Sequence, residues 1–385
     1  MKNIRLPEYR KIFPYDRQPV FQPEQWEKAE DLFEQGNYTG AVAAVLEYAH
    51  PGITRDTDTS APFRITQPHG STVVSLEVTG KELKIEAPFL KITKDTNRVA
   101  LLRKTSEISF AYLYLSKIVL RDGALYFDAS FPLPLCLPSK VYNTLYNICD
   151  NADYFDEKFI DQFGAEFVHH PQIQPLDGEM QDKLWEQWQH FREDYYRMLK
   201  DFTGERLEHF HWEAVAVTLL KIGNISYLNG KLKPGLSGVI SVLLDKQLDM
   251  KERIDHGKVF LDKLFGEKRE NILSNFYKAD YFMSTKMRSD KSIVSEFLMQ
   301  YQSVIDNFEK NNRPLGMAYG LFYIFQLLLY RYNVDKELRD RVESCLEAVS
   351  EKPAGKAAGK LKELYDSLVE GRKEHKKSLW DRWFG

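Results

Sequence analysis

A chain of 385 residues, 43% hydrophobic and 28% charged with a net charge of −3, has the length of two or three domains at about 100–200 residues each. There is enough apolar surface to build cores, which excludes a disordered tail. The near-neutral charge excludes a protein that coats nucleic acid or anionic lipid over its whole surface.

The three cysteines, Cys136, Cys149 and Cys345, lack C-x-x-C spacing, and their odd number leaves one outside any disulfide scheme. Reduced thiols and a cytoplasmic location are the simpler expectation. Cys149 and Cys345 fall on apolar helical stripes and are expected to pack. Residues 1–17 contain no apolar stretch of signal-peptide length. The longest apolar run, 316–330, is shorter than the roughly 20 residues that span a bilayer and contains Gln326. It predicts a buried helix, with Gly316 and Gly320 allowing close approach of a second helix, and no membrane contact.

In chain order, residues 1–23 are punctuated by Pro7, Pro14, Pro19 and Pro23, which bias the backbone toward extended geometry. Tyr9, Phe13, Tyr15 and Phe21 decorate this arm, which is expected to lie across a surface of its own domain. Residues 24–51 read as a helical hairpin. Ala29, Leu32 and Phe33 share one face of the first helix, and Ala41, Val45, Leu46 and Ala49 lie on the second. Gly36, Tyr38, Ala41, Ala49 and Pro51 make it similar to one tetratricopeptide repeat. Such repeats need about three neighbours to close a core, so a single hairpin must dock on the next domain.

After the polar loop 52–61 the period changes to two. Phe63 and Ile65 alternate, Val74, Leu76 and Val78 oppose Ser75, Glu77 and Thr79, and Leu83 and Ile85 oppose Lys84 and Glu86. Strands with one wet face follow. A helix is predicted over 96–110, then strands over 112–121 and 124–131 joined at Asp122-Gly123, a strong hairpin signal because such turns need positive φ. The first of these strands has two apolar faces: Leu113, Leu115 and Val119 on one, Tyr112, Tyr114, Ile118 and Leu120 on the other. It is either covered on both sides or offers a face to a partner. From Ser139, Val141, Leu145, Ile148, Ala152, Phe155, Phe159 and Phe163 recur at helical spacing.

The order helix, three strands, helix, two strands, helix resembles the type III secretion chaperone-like fold, especially its YbjN-like members. The most similar stretch runs from Asp122-Gly123 through Phe131-Pro132-Leu133 and Asp150-Asn151-Ala152-Asp153 to Phe163. The resemblance covers a quarter to a third of the chain and carries no catalytic signature. It implies a peptide-binding or dimer-forming module that acts as a chaperone or adaptor.

Residues 166–177, with His169-His170-Pro171 and Pro175, read as a linker, and the remainder reads as helix. Leu184, Trp188, Phe191, Tyr195, Met198 and Phe202 form one stripe. Residues 212–220 are apolar all round and predict the centre of a bundle. Val294, Phe297, Leu298, Tyr301, Ile305 and Phe308 mark another helix, Pro314 opens the next, and Leu338, Val342, Cys345 and Val349 continue the pattern. Residues 351–360, rich in Lys, Ala and Gly, read as a hinge. A last helix carries Leu361, Leu364, Tyr365 and Leu368.

Chemistry has few footholds. Glu208 and His211 form E-x-x-H, half of a di-iron set, beside Glu205, His209 and Glu213. Glu47/His50 and Glu166/His169 repeat the spacing outside the helical region. Neither H-E-x-x-H, G-x-S-x-G, a Walker loop nor G-x-G-x-x-G is present. Gly235-Leu236-Ser237-Gly238 reads as an ordinary helix-entry loop. Lys263, Lys268, Arg269, Lys278, Lys286, Arg288 and Lys291 interleave with Phe276, Tyr277 and Tyr281, the pattern of a single-strand binder, but Glu267, Glu270 and Asp280 dilute the charge. Burying Trp380, Trp383 and Phe384 at the C-terminus would yield roughly 1.5–3 kcal/mol each, nearly cancelled by ordering the tail at about 1–2 kcal/mol per residue. Such a tail docks reversibly, on its own bundle or on another protein.

The expectation is an α+β protein: an arm plus hairpin (1–61), a secretion-chaperone-like α/β sandwich with an antiparallel sheet (62–170) and an all-helical domain (171–385). It is expected to be no enzyme and to hold no cofactor or metal. Its expected partner is another polypeptide or a second copy in a homodimer, bound through Tyr112, Tyr114, Trp380, Trp383 and Phe384. The competing readings are a metal-dependent, di-iron-like enzyme in the helical domain and a nucleic-acid accessory factor.

Overall fold

A computed structural model describes residues 4–11, 13–14, 18–60 and 62–384, with side chains to Val369. The chain is α+β, organised around two hydrophobic cores. Helix α1 (Pro23–Glu34) opens on a proline in its first turn, where the missing N–H has no partner to lose. A turn with Gly36 at φ +77° leads to α2 (Tyr38–Ala49), capped by the Asn37 side chain, which accepts from the Gly40 N–H. Helix α2 buries Ala41–Leu46 around its whole circumference. As the isolated hairpin requires, it packs against the core of the following domain.

That domain is an antiparallel sheet of β1 (Phe63–His69), β2 (Thr72–Val78), β3 (Glu82–Lys91), β4 (Lys117–Arg121) and β5 (Ala124–Pro132), ordered β1-β2-β3-β5-β4. Register places Leu76 opposite Ile85 and Ile85 opposite Ala129, so the apolar residues of successive strands share one buried face. The other face is polar. Thr66 and Ser75 hydroxyls pair across β1 and β2 at 2.9 Å, and Arg121 bridges Glu86 and Asp128. Asp122 and Gly123 both take positive φ at the predicted hairpin turn. Helix α3 (Arg98–Ala111) lies between β3 and β4, and α4 (Pro138–Phe163) covers the apolar face.

The strand predicted over 112–121 begins only at Lys117. Tyr112 ends α3 instead. The Asn147 side chain of α4 donates to the Tyr112 carbonyl at 2.9 Å and accepts from the Ser116 hydroxyl at 3.1 Å. Leu113 is drawn into the core, 8% exposed. This segment is pinned by α4 rather than by a strand ladder, so Tyr112 and Tyr114 do not share a strand face.

The helical part comprises α5 (Gly178–Gly204), α6 (His211–Gly223), α7 (Leu232–Leu244), α8 (Met250–Phe265), α9 (Arg269–Leu273), α10 (Lys291–Met299), α11 (Gln302–Lys310), α12 (Pro314–Arg331), α13 (Lys336–Val349) and α14 (Ala354–Phe384). Helices α6 and α12 are buried nearly all round, as their sequences predict. A Cβ on Gly316 would stand 2.6 Å from the Phe308 ring, so the glycine lets α11 approach α12 closely. No helix among the described residues is long and apolar enough to cross a membrane.

Three boundaries differ from expectation. The arm divides between the two cores: Ile4, Leu6 and Phe13 are buried in the helical core, with the Leu6 N–H donating to the Lys352 carbonyl at 3.0 Å, whereas Phe21 packs against Tyr48 of the hairpin. The predicted hinge at 351–360 is a turn at Glu351 (φ +55°) followed by α14, whose Ala354, Ala357, Ala358 and Leu361 are buried. Small residues there permit close helix packing rather than bending. The linker is tethered at both ends, Glu166–Phe167 pairing with β3 and Gln174–Pro175 with Tyr277–Lys278. Phe282 and Met283, from the helical half of the sequence, complete the core of the α/β domain.

Candidate functional site

Helix α4 has two faces. One buries Leu145, Ile148, Ala152, Phe155 and Phe159 against the sheet. The other carries Tyr146, Asp150 and Tyr154, spaced by four and therefore one above another. This second stripe faces the helical domain, where Tyr154 donates to the Pro234 carbonyl at 3.2 Å. Between the two lies a cleft of about 350 Å³, walled on the far side by residues 223–228, Lys233 and Ser237 of α7, Tyr281, Lys286, and Tyr330 and Arg331 at the end of α12. That volume sits at the lower end of ligand-pocket sizes. Tyr227 holds φ +68° in its wall, a left-handed conformation that a tyrosine adopts only when its surroundings impose it.

A charged network beneath the cleft joins the domains. Lys233 Nζ donates to Asp153 Oδ2 at 3.2 Å and sits 5.1 Å from the Tyr281 ring centre. Asp153 Oδ1 accepts from the Ser71 N–H at 2.9 Å, and the Ser71 hydroxyl donates to Asp156 at 2.6 Å. Tyr277 donates to Glu157 at 2.9 Å, and the His69 ring accepts from the Met283 N–H at 3.3 Å. Burial works against the Asp153 carboxylate, but Lys233, His69 and the Ser71 amide hold its pKa below the ordinary value. Burial, then the charge of Asp153, pushes Asp156 well up. Burial also raises Glu157 and lowers His69 to about 4.

These shifts set a pH window for the junction. Asp156 and Glu157, with raised folded pKa values, contribute stability at low pH that is lost as pH rises through those values. His69, with a depressed folded value, costs stability as pH falls from its unfolded pKa of about 6.5 toward 4. Asp156→Asn should flatten the loss of melting temperature with rising pH relative to the parent chain. Thermal melts of both chains from pH 5 to pH 9 check this, and parallel curves would refute the assignment to Asp156.

Of the residues singled out from the sequence, Tyr112 and Tyr114 are 56% and 67% exposed and are not among the residues that line the cleft. The Tyr112 ring packs 5.6 Å from Phe155. Burial and then Tyr112 raise the pKa of Tyr154. Burial and then Asp150 push Tyr146 to about 12, with a smaller contribution from Tyr114. Trp380, Trp383 and Phe384 lie outside the side chains described.

The E-x-x-H pair falls in two elements: Glu208 in a 3₁₀ turn, His211 at the start of α6. The His211 ring is engaged by Thr203 at 3.2 Å and Lys258 at 3.1 Å. Glu47 staples a loop by accepting from Gly52 and Thr54, and His50 meets the Phe282 carbonyl. Among the described residues, no three His, Cys, Asp or Glu side chains converge as a metal set. Burial lifts Glu213 to about 7. Phe276, Tyr277 and Tyr281 are buried and present no stacking surface. Gly235 lies within α7, its N–H already given to the Lys231 carbonyl.

The cleft itself was not anticipated. Its trace in the sequence is the run Tyr142, Tyr146, Asp150, Tyr154 at four-residue spacing, a second, polar-aromatic stripe on a helix whose apolar stripe was already assigned.

No family model matches the chain, and no curated protein matches it in sequence. Fold and cleft thus define a class: an α+β protein in which a half-covered antiparallel sheet and a helical domain meet across a tyrosine-lined cleft.

Proposed function

We propose that this is a non-enzymatic, cytoplasmic polypeptide-binding protein, chaperone-like or adaptor in role, acting through its secretion-chaperone-like domain. The observation that carries the reading is where large apolar side chains meet solvent. Val99, Phe110, Tyr112, Tyr114 and Leu120 are all exposed, Phe110 at 94%. They fall within one short stretch from α3 to β4, whereas the rest are scattered along the chain. Single exposed apolar residues need no explanation, but a concentration of them beside an open strand does. Strand β4 is the last of its sheet, pairing with β5 on one side and, among the described residues, with nothing on the other. A symmetric antiparallel pairing of two β4 strands about Val119 would set Lys117 against Arg121 of the other copy, which opposes self-association through this edge. A different polypeptide is the better occupant.

Panning a random peptide library on the immobilised full chain tests this. Enriched peptides are expected to bind the Tyr112→Ala/Tyr114→Ala chain at least about tenfold more weakly, as interface tyrosines often carry 1.4 kcal/mol or more, with the melting temperature nearly unchanged. Absence of enrichment, or binding indifferent to these tyrosines and to Phe110→Ser, would refute it.

A further inference from the structure

We propose that the cleft between α4 and the helical domain binds a nucleoside monophosphate, with the phosphate at Lys286 and Arg331, the base among the tyrosines and donor groups turned to Asp150. The inference goes beyond the polypeptide-binding reading and shares no residue with it. Three cations, Lys233, Lys286 and Arg331, line the cleft against one carboxylate, Asp150. Lys233 is matched by Asp153 at 3.2 Å, so even with both carboxylates counted one positive charge is in excess. Lys286 donates to the Leu329 carbonyl at 2.5 Å, which sets it at the C-terminal end of α12, where Arg331 also stands. The attraction of a helix C-terminus for cations accounts for that lysine. It supplies no partner for the Arg331 guanidinium, which forms no hydrogen bond or ion pair among the described residues. A guanidinium beside an ammonium on a cavity wall suits a phosphate, the fork by paired bonds and the ammonium as a point charge.

The remaining walls narrow the guest. Tyr146, Tyr154, Tyr227 and Tyr330 line the same cleft, each half-buried, and aromatic walls hold a heterocyclic base by its flat face. The strained backbone of Tyr227, at φ +68°, is of the kind that gathers at ligand sites. Asp150 stands between Tyr146 and Tyr154, one helical turn from each, and among the described residues no group donates a hydrogen bond to its carboxylate. An ionised carboxylate only accepts, so a plain phosphate or aryl phosphate meets repulsion there. Ribose hydroxyls and an exocyclic amine bring the donors it needs, and a carboxylate serves ribose in this way in dinucleotide-binding folds. A second cavity of about 300 Å³ shares Ser237, Tyr330 and Arg331 with the cleft and extends it, which gives room for base and sugar together. Asp245 lines that second cavity and disfavours a further phosphate in it, which limits the guest to a monophosphate.

Calorimetric titration of the full chain with the four common ribonucleoside monophosphates tests the proposal. At least one is expected to bind saturably, with Kd on the order of 0.1 mM. The matching nucleoside, which lacks the phosphate, and ribose 5-phosphate, which lacks the base, should each bind about tenfold or more weakly. Arg331→Gln should abolish the preference of nucleotide over nucleoside and Arg331→Lys should keep part of it, both with nearly unchanged melting temperature because the side chain holds no partner in the fold. No binding of any nucleotide, nucleoside or ribose 5-phosphate binding as tightly as the nucleotide, or a phosphate preference that survives Arg331→Gln would each overturn it. Tighter binding of N-acetyl-O-phosphotyrosine amide than of every nucleotide would also overturn it and assign the cleft to a phosphorylated side chain instead.

Discussion

Replacing Gly70 with alanine is expected to destabilise the folded chain by roughly 4 kcal/mol or more, the largest effect of any single methyl group in the α/β domain. Gly70 sits at φ +60°, where a Cβ costs about 1–2 kcal/mol. A built Cβ would also fall 1.8 Å from Asp153 Oδ1, far inside contact distance, so the carboxylate must leave. It is the acceptor for Lys233 and for the Ser71 amide, and separating a buried ion pair costs about 3–5 kcal/mol. The turn cannot move away instead, because the Gly70 N–H donates to the Asp280 carbonyl of the helical half at 2.9 Å. Urea unfolding followed by circular dichroism measures this. Gly80→Ala is the control: no atom lies within 4 Å of its Cβ position, and a change within about 0.5 kcal/mol is expected. Equal behaviour of the two variants would show that the junction tolerates the loss of Asp153.

The second large effect belongs to Asp194. Its carboxylate accepts from Lys221 at 3.0 Å, from Arg197 at 2.6 Å and from the Glu8 N–H of the N-terminal arm at 2.7 Å. The Lys221 side chain is 3% exposed. Asp194→Ala leaves that ammonium buried without its hydrogen-bonded carboxylate, an expected loss of about 3–5 kcal/mol. The arm loses an anchor at the same stroke, so trypsin should cut at Arg5, Arg10 or Lys11 sooner than in the parent chain. The double variant Asp194→Leu/Lys221→Met should recover most of the stability, because it removes the stranded charge along with its partner, but not the protection of the arm. Recovery of both would mean that the Glu8 bond contributes little. The pH dependence has a definite sign. Burial opposes the Asp194 carboxylate, yet Lys221 and Arg197 hold its pKa below the ordinary carboxylate value. Its stabilisation is present above about pH 4, the unfolded value, and fades as pH falls through the folded one. Parent and variant melting temperatures should therefore converge in acid.

Much of the architecture is local physics and was readable as such. Val74, Leu76 and Val78 alternate with polar neighbours, and a strand is the conformation that sends them to one face. Asp122-Gly123 is a hairpin because both residues tolerate positive φ. Residues 212–220 and 316–330 are apolar all round, and α6 and α12 are buried all round. The misreadings share a cause. Residues 112–116 alternate like a strand, but one hydrogen bond donated by Asn147 to the Tyr112 carbonyl and one it accepts from the Ser116 hydroxyl hold them as a loop. Lys, Ala and Gly at 351–360 suggest a hinge, but Ala354, Ala357 and Ala358 find partners that reward packing. The proline-punctuated arm is extended as expected, yet its Ile4, Leu6 and Phe13 lie in the core of the helical half.

The kinds of element, their order, the wet and dry sides of the sheet and the division into a sheet-bearing and a helical half follow from periodicity along the chain, which needs no knowledge of distant residues. Which surfaces meet was settled only in three dimensions. The cleft draws on positions from Gln18 to Arg331, and the pairing of Asp153 with Lys233 or Asp194 with Lys221 spans tens of residues. A side chain's pattern reports which way it points, whereas its charge state and its partners depend on what the rest of the fold brings within a few ångströms, and no local signal encodes that.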